Sequence, residues 1–243
     1  MRLAATVVLL RDGVNGPEVF ALRRAAGMVF AAGVLAFPGG GVDPTDEVSP
    51  PFTGRPVGWW SDRLGLPGPQ ASSVLAAAVR EVFEETGVLL GETGQHHRRE
   101  QLRLDLAAHR VGLAEVLAEQ GIPAAFDDLV PWARWITPPG PPRRYDTFFF
   151  VAALPAGQQA ALLTTEADIG EWARPADLIA DGLAGRRSIM PPTMSTLYQL
   201  SAKDSVAETL AAEREITPIR PRVVSGPGEP LRVVIDGHEV PLS

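Results

Sequence analysis

The sequence has no cysteine, one lysine and no long hydrophobic run. Without cysteine there is no disulfide framework, thiolate metal site or thiol nucleophile, so any metal must be held by oxygen or imidazole. Lys203 is the single lysine, which leaves 21 of the 22 basic residues as arginine. Arginine suits bidentate phosphate contacts, but genomic composition produces the same bias and it carries no functional weight here. No apolar stretch approaches the ~18 residues of a membrane span. The short run over Met1–Leu10 ends at Arg11-Asp12-Gly13 with no small-residue cleavage pattern and reads as a buried first strand. A soluble cytoplasmic protein without a membrane partner is expected. With 29 acidic residues against 22 basic, the net charge of −7 opposes general affinity for nucleic acid or anionic lipid, so phosphate binding has to be local. At 243 residues and 45% hydrophobic, the chain can bury a full core unaided.

Leu3–Leu10 and Glu18–Arg23 flank the turn-rich Asp12-Gly13-Val14-Asn15-Gly16-Pro17 and predict a hairpin. Val34–Phe37 leads into a sharp Pro38-Gly39-Gly40-Gly41 loop. Val48–Pro69 shifts to Pro, Gly and Trp without a usable period and reads as a loop-like insertion. Ser72–Thr86 is the clearest helix, with Ser72 or Ser73 as N-cap and Gly87 closing it. Glu92–Phe126 reads as a second insertion with one or two helices, Leu113, Val116 and Leu117 lying at helical spacing. Strand character resumes at Trp132–Thr137 and Tyr145–Leu154, then briefly at Glu171–Ala173. Helices are expected over Ala176–Leu183 and from Thr193 to about Glu213, and a terminal hairpin around Asp236-Gly237.

On the Ser72–Thr86 helix, Leu75, Val79, Val82 and Phe83 share one arc while Glu81, Glu84 and Glu85 gather on the other. Like charges at i,i+3 and i,i+4 each cost roughly 0.2 to 0.5 kcal/mol. Arg80 lies beside Glu84 but leaves the cluster negative. A hard divalent cation resolves the repulsion, since Mg²⁺ takes oxygen ligands and leaves room for water and phosphate oxygens. It withdraws charge from a phosphoryl group and lowers the pKa of bound water, as anhydride hydrolysis requires. Taken alone, an E-x-x-E-E string is also compatible with a solvated acidic face.

The nine residues Arg80-Glu81-Val82-Phe83-Glu84-Glu85-Thr86-Gly87-Val88 match the second half of the Nudix box at every specified position. Gly40 and Asp46 have the Gly-x5-Glu spacing of the first half, with Asp in place of Glu. Between Asp46 and Arg80 stand 33 residues where the family pattern has seven. The sequence thus resembles a Nudix hydrolase with a split box, similar to the branch that includes the peroxisomal coenzyme A diphosphatases. Trp135-Ile136-Thr137-Pro138, Arg143-Arg144-Tyr145-Asp146-Thr147-Phe148-Phe149 and Glu171-Trp172 extend the likeness to about residue 200. Another Nudix branch carries a coenzyme A signature whose end fits Gly33–Gly40 with Leu35 for Val, but Met28-Val29 stands where its Leu-Arg pair belongs.

The resemblance implies an α/β fold, a mixed β-sheet between helices in an α/β/α sandwich. It implies one domain over 1–243, with insertions at about 47–71 and 92–130 and an extension from about 205. It implies that Glu81, Glu84 and Glu85 bind Mg²⁺ or Mn²⁺, that Arg80 orients a glutamate, and that Gly39 or Gly40 offers a backbone carbonyl to the metal. A glycine-rich turn needs no such role to exist. Glu166 is the candidate general base, with Asp168 and Glu171 as alternatives. Arg143 and Arg144 are candidates for a substrate phosphate, balanced against one of them pairing structurally, and Arg23 and Arg24 for the same cleft. His96 and His97 lack ligand spacing and read as solvent-exposed. The expected function is cleavage of a nucleoside-diphosphate-linked small molecule, foremost coenzyme A or an acyl-CoA. ADP-ribose or NADH hydrolysis, or a non-catalytic nucleotide-binding regulatory module, are the alternatives. Family members often pair as homodimers, and no feature of this sequence specifies that state.

Overall fold

β1 (Arg2–Gly13) and β2 (Gly16–Arg24) form the expected hairpin, paired antiparallel from Leu10↔Val19 to Gly13↔Gly16. The computed structural model describes residues 1–27, 32–47, 52–91, 98–122, 124–224, 232–235 and 238–240. β3 (Val34–Ala36), β4 (Gly39–Gly41) and the short β5 (Phe52–Thr53) follow. Four helices come next: α1 (Val57–Leu64), α2 (Gly68–Thr86), α3 (Arg99–Ala107) and α4 (Leu113–Gln120). The chain continues through β6 (Ala124–Ala125), β7 (Val130–Ile136), β8 (Tyr145–Ala153) and β9 (Ala167–Ala173). α5 (Pro175–Leu183), β10 (Ser188–Ile189), α6 (Pro191–Ser201) and α7 (Val206–Leu210) precede β11 (Pro218–Ile219), β12 (Arg222–Val224), β13 (Arg232–Ile235) and β14 (His238–Val240).

The main sheet is mixed, in the order β10-β3-β2-β1-β8-β7-β11, with β4 also on β1 and β9 also on β2. β1 is central, parallel to β8 and covered on both faces, so it is buried from Ala4 to Leu10 except at Thr6. The period of two still divides its side chains. Ala5, Val7 and Leu9 enter a core shared with α1 to α4, whereas Val8 and Leu10 enter one shared with α5 and α6. Helices on both faces of a mixed sheet make the expected α/β/α sandwich. Among the described residues no helix is long and apolar enough to cross a membrane.

Local structure departs from the sequence reading in three helices, and β9 begins four residues before the expected Glu171. Within the stretch read as loop-like, α1 forms between Pro56 and the left-handed Gly65, stabilised by full burial of Trp60 and Leu64. Two turns are too short for a period to show. α2 begins at Gly68, so Ser72 and Ser73 are buried inside it, and Ser73 Oγ donates to the Pro69 carbonyl at 3.0 Å. Pro69 is tolerated in the first turn, where its missing N–H has no helical partner to lose. The helix expected to run to about Glu213 is two, because Ser205 caps α7 by accepting the Glu208 N–H at 3.1 Å. Ser205-Val206-Ala207-Glu208 is a capping-box pattern that announces the break. β13 and β14 pair antiparallel in a separate sheet with β12, and the Asp236-Gly237 of the expected turn lies outside the described residues.

Candidate active site

The site is built where β1 changes partners. Along one edge β1 pairs with β2 from Leu10 onward but with β4 at Ala4–Thr6. The strands therefore fork, and a cleft of about 550 Å³ opens beside β4. β4 needs glycine there: a Cβ on Gly39 would lie 2.7 Å from Thr6 Cα, and one on Gly40 would lie 2.7 Å from Glu81 Cδ. Backbone approach this close brings α2 against the fork.

Arg80 organises the helix face. It is 3% exposed, and its Nε and Nη2 donate to the two carboxylate oxygens of Asp46 at 2.9 and 3.0 Å. Nη2 also donates to the Gly41 carbonyl at 2.9 Å, and Nη1 to Glu81 at 3.0 Å and Glu84 at 3.3 Å. Burial opposes the charge on Arg80, but the bonds to Asp46 and the nearby glutamates hold its pKa above the usual arginine range. Asp46 is itself fixed by the Asp43 N–H at 2.8 Å.

The three glutamates share one electrostatic character. Burial pushes Glu81 up to about 7, with Arg80 opposing and Glu84 adding to the rise. Burial also raises Glu84, and raises Glu85 well above the ordinary carboxylate range, with the Glu81 charge contributing. Glu85 accepts the Gly39 N–H at 3.1 Å. Among the described residues no three carboxylates or imidazoles are already gathered at ligand spacing, as Arg80 engages Glu81 and Glu84 while Gly39 engages Glu85. The donor set nonetheless fits a hard divalent cation: three carboxylates on one helical face, Glu85 buried and Glu81 and Glu84 partly so, Glu84 raising Glu81 and Glu81 raising Glu85, with hydrogen bonds that leave acceptor capacity on each.

Of the other expected residues, Arg24, Arg143, Gly40 and Glu166 line the cleft with Glu81. Glu166 and Arg24 approach to 3.8 Å. Glu166 also borders a small void with Glu85. Arg23, placed provisionally in the same cleft, is not there. Consecutive side chains of a strand point to opposite faces, and Arg23 binds Asp168, the β9 residue skipped in the pairing, through two hydrogen bonds at 2.7 and 3.0 Å. Arg144 donates to the Thr137 carbonyl at 3.1 Å. Glu171 is bound by Arg187. His96 and His97 lie outside the described residues, as do Met28 and Val29.

One residue that the sequence reading missed ties the site together. Arg103 of α3 is 5% exposed and donates through Nη1 to the carbonyl of Glu84 at 2.8 Å and of Leu163 at 3.3 Å, while Glu100 grips its other nitrogens. Leu163 N–H donates to Glu85 O at 2.9 Å, and Ala161 N–H to Thr86 O at 3.1 Å. The end of α2 is thereby stitched to the segment that leads to Glu166.

A family model described as the NUDIX domain matches residues 1–139. The chain is 28% identical over 201 residues to a putative nudix hydrolase 7 of Caenorhabditis elegans, covering 82% of this chain and 60% of that protein. It is 25% identical over 239 residues to an acyl-coenzyme A diphosphatase of Xenopus laevis, covering 78% of this chain and 61% of that protein. The chain thus spans about three fifths of the length of these curated relatives. A crystal structure of a NUDIX hydrolase from Alicyclobacillus acidocaldarius superposes with a TM-score of 0.72 at 27% identity, over 89% of this chain and 98% of that one. With the glutamate-bearing helix, the glycine strand against it and a family match over more than half its length, the chain belongs to the NUDIX family.

Proposed function

We propose that this chain is a divalent-metal-dependent diphosphatase that hydrolyses a nucleoside-diphosphate-linked small molecule, with coenzyme A or an acyl-CoA as its substrate. The observation that carries this is the single face of α2 on which Glu81, Glu84 and Glu85 lie buried or partly buried with raised pKa values, beside a cleft lined also by Arg24, Arg143 and Glu166. Glu81, Glu84, Glu85 and the Gly40 carbonyl would hold Mg²⁺ or Mn²⁺. The ion supplies charge withdrawal from the phosphoryl group and a lowered pKa for water.

The chain's own groups do the rest. Arg80, neutralised by Asp46, keeps Glu81 and Glu84 turned toward the helix face. Arg143, exposed on the cleft wall, is placed to engage a phosphate bidentately. Glu166 is the proton acceptor we favour, because it lines the cleft while Asp168 and Glu171 are occupied by arginines elsewhere. The water oxygen bonds to one phosphorus, the bridging oxygen leaves with its electron pair, and the water proton passes to Glu166. The acyl-coenzyme A diphosphatase relative supports the choice of substrate, as do the residues of the split box.

The test is a panel of coenzyme A, an acyl-CoA, ADP-ribose and NADH incubated with Mg²⁺ or Mn²⁺, with products identified by mass. Release of 3′,5′-ADP from coenzyme A is expected. Turnover of ADP-ribose or NADH alone would move the substrate and keep the reaction class. Nucleotide binding without cleavage of the diphosphate in any compound would overturn the enzyme reading in favour of a regulatory module.

A further inference from the structure

A second hollow, of about 330 Å³, adjoins the cleft on the sheet face opposite α2. Trp135 and Phe149 form its floor on β7 and β8, and Met190 stands at its rim, 38% exposed. Thr6, Tyr145 and Thr147 line both hollows. A group in the second can therefore belong to the same molecule as a phosphate in the first.

The described residues turn a mainly apolar surface to this hollow. Four of its residues are prolines, Pro138, Pro191, Pro192 and Pro221, which have no N–H to offer. Among the described residues it contains no charged or amide side chain. Its polar side-chain groups are the hydroxyls of Thr6, Thr137, Tyr145, Thr147 and Thr193 and the Trp135 indole N–H, and the Thr137 hydroxyl already accepts the Tyr145 N–H at 3.0 Å. A ribose or nucleobase seated here would leave several of its own polar groups without partners, an uncompensated desolvation. An aliphatic group would lose nothing and would gain from leaving water.

We propose that this hollow is the subsite for an aliphatic alcohol half of the substrate, so that the chain selects a nucleoside diphosphate esterified to an alkyl alcohol over one esterified to a second sugar. The inference rests on the diphosphatase reading and sharpens it. Coenzyme A has this chemistry, since its diphosphate is esterified to a branched aliphatic alcohol, whereas ADP-ribose and NADH carry a sugar on both sides. The nucleotide half then lies toward Arg24 and Arg143, away from the prolines.

Two substrates with the same adenosine diphosphate half decide the matter: its neopentyl ester and ADP-ribose. Wild-type protein with Mg²⁺ is expected to show kcat/KM at least about tenfold higher for the neopentyl ester, the scale on which an apolar pocket discriminates. Met190→Glu puts a charge at the rim without touching the glutamate helix. It should raise KM for the neopentyl ester about tenfold with kcat unchanged and leave both constants for ADP-ribose within about twofold, while Met190→Leu behaves as wild type. Equal kcat/KM for the two substrates, or an equal effect of Met190→Glu on both, would overturn the subsite. Calorimetric titration with the α,β-methylene analogues of both compounds reads the same preference as binding. If neither ester is cleaved but the neopentyl analogue binds at least tenfold tighter, the enzyme reading fails and the subsite stands; if it binds no tighter, the subsite fails as well.

Discussion

Asp46 and Arg80 meet through two hydrogen bonds of 2.9 and 3.0 Å, both side chains almost wholly buried, although 33 residues separate them in the chain. The pair closes the turn at Pro44–Glu47 onto α2 and determines which way the Arg80 guanidinium faces, and hence where Glu81 and Glu84 are held.

Replacing Asp46 should therefore damage both stability and the site. Asp46→Asn leaves a buried guanidinium without its main partner, a change that costs about 3–5 kcal/mol when one member of a buried ion pair is removed. Urea unfolding should show that loss, with a fall in kcat as the Arg80 guanidinium loses its orientation and Glu81 and Glu84 shift with it. Asp46→Glu keeps the charge and adds one methylene to a closed space, so its loss should be smaller, about 1–3 kcal/mol. Equal stability for wild type and Asp46→Asn would show that the pair does not hold the turn.

Much of this arrangement was legible in the sequence, and the parts that were not share a physical reason. The glutamate spacing on α2, its Gly87 terminus, the β1–β2 hairpin and β8 follow from periodicity and turn chemistry, which act over a few residues. The partnership of Asp46 with Arg80 does not, because a gap of 33 residues conveys no distance. Arg23 and Arg24 are neighbours of identical chemistry on alternate faces of β2, and which face meets the cleft is decided by the tertiary fold. Arg103 was invisible for another reason: an arginine on a polar helix ordinarily faces water, and its burial depends on the Leu163 segment folding over it.

Arg103 should matter to the site at a distance. Its bonds to the carbonyls of Glu84 and Leu163 join the end of α2 to the segment carrying Glu166. Arg103→Met keeps the apolar stem but removes the fork, and hydrogen bonds of this charged type are worth about 1.5–3 kcal/mol each. A destabilisation of about that size is expected in urea, with kcat falling more than KM rises. Arg103→Lys should not restore activity, since an ammonium cannot span two carbonyls and Glu100 together. Full rescue by lysine would reduce the residue to a simple charge.

The two glycines of β4 should separate stability from catalysis. At Gly39 an added methyl meets the β1 backbone at Thr6 Cα, 2.7 Å away, and neither strand can yield without losing its pairing. Gly39→Ala is expected to cost about 1–3 kcal/mol by overpacking. At Gly40 the methyl meets the Glu81 carboxylate, the movable end of a side chain. Gly40→Ala should thus unfold within about 1 kcal/mol of wild type yet lose about 100-fold in kcat, the scale of an ångström's misplacement at a reacting centre. Calorimetry and steady-state kinetics on both variants would test this contrast, and a Gly40→Ala protein with normal kcat would detach Glu81 from the chemistry.

The buried glutamates also predict how metal and pH act together. Burial raises Glu81 to about 7 from its ordinary value of 4.5, and shifts Glu84 and Glu85 in the same direction. A carboxyl whose folded pKa is raised contributes stability that is fully present below its unfolded pKa and is lost as pH rises through the folded value. In EDTA, Tm should accordingly fall between pH 4.5 and 7 as Glu81 ionises, and further as Glu85 does. A divalent cation binds the ionised form and competes with the proton, so the Tm gain on adding Mg²⁺ should be several degrees larger at pH 8 than at pH 5.5. Glu85→Gln removes the most strongly opposed charge: it should raise Tm in EDTA at pH 8 while abolishing turnover. A Mg²⁺ increment that is the same at both pH values, or a Glu85→Gln variant that melts below wild type at pH 8, would mean that these carboxylates are not the groups the metal stabilises.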